Sequence, residues 1–178
     1  MIRREEVGYF PTKRSRERDR FTEAEVETLR MAAAEDPVDH GMLLFLLHTG
    51  CRSGALCHLL VDDVRDPSTG CMRSTGSVDE KGGVRQTDRD HVVTTVWLRE
   101  FTIDPILAEA LCGAIARNKG SIYVFPASRG GVRKRQMSMN DTWLRRLCAR
   151  CKPPIVGSHV HVHALRRTVI SMLLDWAL

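Results

Sequence analysis

Residues 43–64 read LLFLLHTGCRSGALCHLLVDDV. The run through Met42-Leu43-Leu44-Phe45-Leu46-Leu47 is apolar on nearly every side of a helix, which makes it a buried helix. Gly50 is its stop, because glycine takes the left-handed cap conformation that other residues resist. A second, short helix then runs from Ser53 through Leu56, Leu59 and Leu60. Between the two helices, Thr49-Gly50-Cys51-Arg52 forms a tight junction. An arginine fixed there is held by core on both sides and so is preorganised for an anion. The same residue also suits the last carbonyls of the preceding helix, so the tetrapeptide alone leaves both readings open.

Working outward toward the N-terminus, Thr22 and Glu25 stand at capping-box spacing, and Phe21 and Val26 are placed for a hydrophobic staple, so a helix starts at Thr22. Residues 1–20 are polar, mixed in charge and aperiodic; they read as a basic arm or linker ahead of a domain spanning 21–178. Toward the C-terminus, Asp66-Pro67-Ser68-Thr69-Gly70 breaks the chain. An extended region follows, with a strand near Cys71–Thr75, a turn at Gly82-Gly83, and a β-branched run from Val92 to Leu98 as the strongest strand.

Asp104-Pro105 starts another helix, with Ile106, Leu107, Ala110, Leu111, Ala114 and Ile115 at helical spacing. A short extended piece at Ile122–Pro126, a basic loop at Arg129–Gln136, and a helix from Asn140 to Arg150 with Trp143, Leu144 and Leu147 inward come next. The last helix begins near His163, with Leu165, Val169, Met172, Leu173 and Trp176 on one side. The expected class is mainly α with a small antiparallel β-sheet, an α+β domain without internal repeats.

The chain has 178 residues, room for one well-buried core, and no apolar run near the roughly 20 residues of a membrane span. Its first residues lack the apolar stretch of a secretory signal, so its six cysteines are read as thiols of a reducing compartment. The net charge of +5 conceals strong polarisation. Residues 1–20 carry seven basic and four acidic side chains, and residues 117–167 carry twelve basic side chains against Asp141 alone. Clustered Lys and Arg match a polyphosphate, so nucleic acid is the leading partner and a merely solvated basic face the plainer alternative. On this charge pattern Arg129, Arg133, Lys134, Arg135, Arg145 and Arg167 are candidate DNA-backbone contacts, and Arg85, outside the basic segment, is a further one.

The sequence His163-Ala164-Leu165-Arg166-Arg167-Thr168 puts an imidazole and a guanidinium three residues apart at a helix start, pointing the same way. A guanidinium fork matches two phosphoryl oxygens, and histidine moves a proton near neutral pH. Another grouping is open: Cys148-x2-Cys151 followed by His159-x3-His163 has the residue types of a zinc site, with seven residues between the pairs. Without a metal, Cys148 faces neighbouring helices, and His159 and His161 alternate with Val160 and Val162 in an extended entry to the last helix.

Taken in order, LLFLLHTGCRSGALCHLLVDDV, EKGGVRQ and HVHALRRT resemble the arginine box, the lysine hairpin and the H-x-L-R box of the tyrosine recombinase (phage integrase) catalytic domain, across most of residues 21–178. The resemblance implies a mainly helical domain with a small sheet that cleaves and rejoins double-stranded DNA through a 3′-phosphotyrosyl intermediate, with neither metal nor cofactor. It implies that Arg52 and Arg166 clamp the scissile phosphate, that His163 is the acid/base, and that Lys81 is the donor to the leaving 5′-oxygen. Phosphoryl transfer rests on positioning and charge neutralisation, roles that two guanidiniums can fill.

It further implies protomers paired or in tetramers on DNA, while a monomer is expected in solution. Three features depart from the family pattern. Ala55 stands where an acidic residue is usual, Val61 where an aromatic is common, and the tyrosines Tyr9 and Tyr123 do not fall where the nucleophile belongs. The expectation is therefore a recombinase domain lacking its tyrosine segment, with an inactive DNA-binding relic or regulator as the alternative.

Overall fold

A computed structural model describes residues 19–79, 98–118, 120–127 and 142–176. The order of elements is α1 (Glu23–Ala33), α2 (Pro37–Thr49), α3 (Ser53–Cys57), α4 (Val61–Val64), β1 (Thr75–Asp79), β2 (Leu98–Thr102), α5 (Pro105–Arg117), α6 (Arg145–Arg150) and α7 (Val162–Trp176). The domain is thus mostly helical with a two-stranded antiparallel sheet, the class expected from the sequence.

Local signals set the helix ends. Thr22 caps α1 through a complete capping box: its Oγ1 accepts the Glu25 N–H at 3.2 Å and Glu25 Oε2 accepts the Thr22 N–H at 2.8 Å. Asp36 and Asp104 cap α2 and α5, each followed by a proline at the first helical position, where no N–H is needed. Gly50 ends α2 at φ +55°, and its N–H donates to the Leu46 carbonyl at 2.8 Å.

Helix α2 is the central element, buried from Gly41 through Leu46. At Gly41 an added Cβ would stand 3.0 Å from the Ala110 carbonyl oxygen and 3.0 Å from the Ala114 Cβ, so the absence of a side chain lets α5 lie close against it. Phe45 is wedged edge-on between Phe101 of β2, at 5.2 Å, and Phe125, at 6.4 Å between ring centroids. The core continues through Leu29, Leu56, Leu59, Leu107, Leu111, Leu144 and Leu165, all but removed from water.

The sequence expectations differ from the structure in three places. The first strand lies at Thr75–Asp79 rather than Cys71–Thr75, since Met72 instead forms an isolated bridge with Arg65. The helix expected from Ser53 to Leu60 stops at Cys57, because the chain turns away to pair Leu60 with Tyr123: the Leu59 carbonyl accepts the Val124 N–H at 2.9 Å and the Val61 N–H donates to the Ile122 carbonyl at 2.8 Å. Leu173, expected inward, is 64% exposed: it lines the wall of an open groove of about 410 Å³ between α1, α2 and α7 instead of filling it. Trp143, Leu144 and Leu147 are inward as expected, with residues 142–144 forming a π-turn before α6. The β-branched run 92–97, the turn at Gly82-Gly83 and the basic loop 129–136 lie outside the described residues.

Candidate phosphate site

The C-terminal corner of α2 is built from three directions. From within, the Thr49 hydroxyl donates to the Phe45 carbonyl at 2.6 Å and accepts the Cys51 N–H at 3.3 Å, closing the turn on itself. Cys51 is buried at 1% exposure, so the next residue is pushed outward: Arg52 is exposed and stands as the N-cap of α3 in extended conformation.

From α7, Arg166 Nη1 donates to the Gly50 carbonyl at 2.7 Å. From the sheet, Arg99 Nη2 donates to the Thr49 carbonyl. Two guanidiniums therefore take consecutive carbonyls at the negative end of the α2 dipole, where cations are favoured. A carbonyl acceptor orients a guanidinium without cancelling its charge.

Helix α7 brings the remaining chemistry. Ala164 and Leu165 are fully buried, which fixes the helix rotation so that His163 is exposed and Arg166, three residues on, lies half-buried over the α2 corner. Val169, one turn further, closes the contact: a Cβ at Gly50 would stand 3.3 Å from Val169 Cγ1. The His163 ring stacks on His161 at 6.5 Å and 19° between planes.

His161 accepts the Ala164 N–H on Nδ1 at 3.0 Å, capping the helix with a neutral ring. Burial, and then the positive charges of His163, Arg167 and His159, push its pKa below the usual histidine value, while Asp19 opposes them. Arg166 is thus tied to the corner that carries Arg52, and His163 stands exposed three residues earlier on α7.

The other expected site residues divide. Lys81, Arg85, Arg129, Arg133, Lys134 and Arg135 lie outside the described residues. Arg145 is exposed at the start of α6, which packs on α1, whereas the corner is built by α2, β2 and α7. Arg167 is exposed and pairs with Asp19 at 2.9 Å. Ala55 is 1% exposed, so the side chain at this departure from the family pattern is a small apolar group in the core.

Arg99 escaped the sequence reading. Its signal, a lone arginine closing an apolar β-branched run, is visible only in retrospect, because its partner lies fifty residues away.

The zinc grouping is not assembled. His159 is buried against Phe21, with ring centroids 5.0 Å apart, and its Nε2 faces Glu25 Oε1 at 3.4 Å. The Cys151 thiol turns to the carbonyls of Leu147 and Thr28, and burial pushes the Cys148 thiol up to about 12, so neither offers a ready thiolate. Among the described residues no three His, Cys, Asp or Glu side chains converge on a point. Nor is any described helix long and apolar enough to cross a membrane.

The chain folds like several solved recombinases. It is similar to XerA recombinase (TM-score 0.65, 20% identity, 92% of this chain and 52% of that one). It is similar to the Tn1549 transposon integrase in complex with transposon right end DNA (TM-score 0.66, 19% identity, 89% of this chain and 54% of that one). It also resembles the lambda integrase dimer bound to a COC′ core site (TM-score 0.56, 16% identity, 90% and 42%). No protein-family model and no curated protein matches the sequence. The fold is that of a tyrosine recombinase catalytic domain. The chain spans about half the length of the solved recombinases it is similar to.

Proposed function

We propose that the chain binds double-stranded DNA and holds one phosphodiester between Arg52 and Arg166, with His163 beside it, as the phosphate-binding part of a strand-cleaving and rejoining recombinase. The observation that carries this reading is the 2.7 Å bond from Arg166 to the Gly50 carbonyl, which ties the α7 guanidinium to the corner two residues before Arg52. Positioned cations suit phosphoryl transfer, whose transition state spreads charge over the equatorial oxygens. In this reading Lys81 is the donor to the leaving 5′-oxygen, and protomers pair on DNA; the lambda integrase structures similar to this chain are a dimer on a core site and a tetramer on a Holliday junction.

No residue of the chain is assigned as the nucleophile. Tyr123 is held in a bridge with Leu60 and packs its ring against His58, and Tyr9 lies outside the described residues. A second reading, a DNA-binding module without catalysis, is favoured by the buried Ala55, which brings no carboxylate to orient Arg52.

The test is duplex binding by fluorescence anisotropy across about 50 to 300 mM salt. Arg52→Ala and Arg166→Ala are each expected to weaken binding about fivefold and to reduce the salt slope by about one. Unchanged affinity in both variants overturns the reading. Given a partner segment that supplies tyrosine, cleavage of a nicked duplex decides between the recombinase and the inactive module.

A further inference from the structure

We propose that Arg99 is a positioning residue of the phosphate site: by holding the Thr49 carbonyl it locks the Thr49–Arg52 corner against the β1–β2 ladder and so fixes where Arg52 stands. The inference rests on the phosphate-binding reading of Arg52 given above.

The geometry builds it in two steps. Residues two apart on a strand share a face, and residues four apart on a helix stack one turn above another. Phe101 packs edge-on against Phe45 at 5.2 Å; two residues earlier on β2, Arg99 reaches Thr49, four residues later on α2. The strand therefore lies along α2, with an aromatic contact followed by a guanidinium clamp, and the clamp falls on the last residue before Gly50. Arg99 and Arg166 then take the Thr49 and Gly50 carbonyls from opposite elements. With its backbone held by hydrogen bonds on both sides, the corner presents Arg52 in one direction.

The register locates the clamp on the sheet. Arg99 pairs with Val78 and Leu98 with Asp79, so Arg99 is one rung from the end of the described ladder. Lys81 comes two residues after Asp79 in the chain. Among the described residues, the bond from Arg99 to Thr49 thus ties that end of the β1–β2 ladder to the arginine corner. A guanidinium suits this role because its planar fork is stiff and always charged, whereas an ammonium is a single mobile point.

A double-mutant cycle tests the proposal, with affinity of the purified chain for a roughly 30-bp fluorescent duplex as the readout and thermal unfolding as the control for folding. Arg99→Met keeps the apolar stem and removes the clamp. It is expected to weaken binding about fivefold when Arg52 is present and less than twofold in the Arg52→Ala background, since a positioning residue acts only through the residue it positions. A loss of the same size in both backgrounds overturns the proposal and makes Arg99 an independent contact. So does Arg99→Met binding as tightly as the unmodified chain.

If Arg99→Met does not fold, Arg99→Lys goes through the same cycle, with about threefold coupling expected and additivity overturning the proposal. The failure of the underlying reading is recognised separately: there Arg52→Ala itself binds DNA unchanged, whatever Arg99 does.

Discussion

Arg166 donates to the carbonyl of Gly50, and the two residues fit together in a second way: the helix that carries Arg166 passes so close to Gly50 that a Cβ there would stand 3.3 Å from Val169 Cγ1. Gly50 is therefore favoured twice, chiefly for its left-handed conformation at φ +55° and additionally by the tight approach of α7.

Gly50→Ala tests both requirements together. The left-handed conformation costs a residue with a Cβ about 1 to 2 kcal/mol, and the crowding against Val169 adds to it, so urea unfolding should show a loss of about 1 to 3 kcal/mol. Because the strain falls on the corner that orients Arg52, duplex affinity should drop as well. A variant as stable as the parent, with unchanged binding, would show that neither constraint matters.

How much of this was legible beforehand depends on the range of each interaction. Thr22, Asp104 and Gly50 act within four residues of themselves, and their helix ends were readable from the sequence. His163 and Arg166 were readable as neighbours because helical spacing alone puts them on one side. That Arg166 would meet the Arg52 corner followed only from the family resemblance, since 116 residues separate Arg166 from Gly50.

The bond from Arg99 to Thr49 left no local trace, and the break after Cys57 depended on pairing between Leu60 and Tyr123, which no periodicity in residues 53–60 encodes. Leu173 shows the remaining limit: helical periodicity identifies an apolar stripe but not how far a neighbouring element covers it.

Protonation of His161 should weaken the domain. Its ring is half-buried, faces His163, Arg167 and His159, and uses Nδ1 to accept the Ala164 N–H, so the charged form loses the cap and meets positive neighbours. A folded pKa below the unfolded value of 6.5 means that the stabilisation is complete above that value and is lost as pH falls below it toward the folded pKa. Asparagine caps helices well without titrating, so His161→Asn should flatten the dependence of the unfolding midpoint between about pH 7 and 5. An equally steep dependence in that variant would assign the effect to other groups.

Thiol chemistry should follow burial. Cys71 is exposed, whereas Cys51, Cys57, Cys148 and Cys151 are buried, and Cys148 is raised to about 12. A thiol reagent near neutral pH should label Cys71 first and leave Cys148 and Cys151 until the protein unfolds, because the thiolate is the reactive form. Treatment with a chelator should leave the unfolding temperature unchanged, since His159 faces Glu25 rather than the two thiols. A marked drop would restore the zinc grouping.

The segment just before α1 is tied to the helix that bears His163 and Arg166. Asp19 pairs with Arg167 at 2.9 Å, Arg20 bonds the Ser171 hydroxyl, and the buried Thr168 hydroxyl accepts the Phe21 N–H at 2.9 Å while donating to the Ala164 carbonyl. The first two contacts are exposed and contribute little. The third is buried, and Thr168→Val keeps the shape while leaving the Phe21 N–H without its acceptor, a loss of about 1 to 3 kcal/mol. Asp19→Asn should cost less than about 1 kcal/mol by comparison. If urea unfolding ranks the two variants the other way, the exposed ion pair rather than the buried hydroxyl holds this segment to α7.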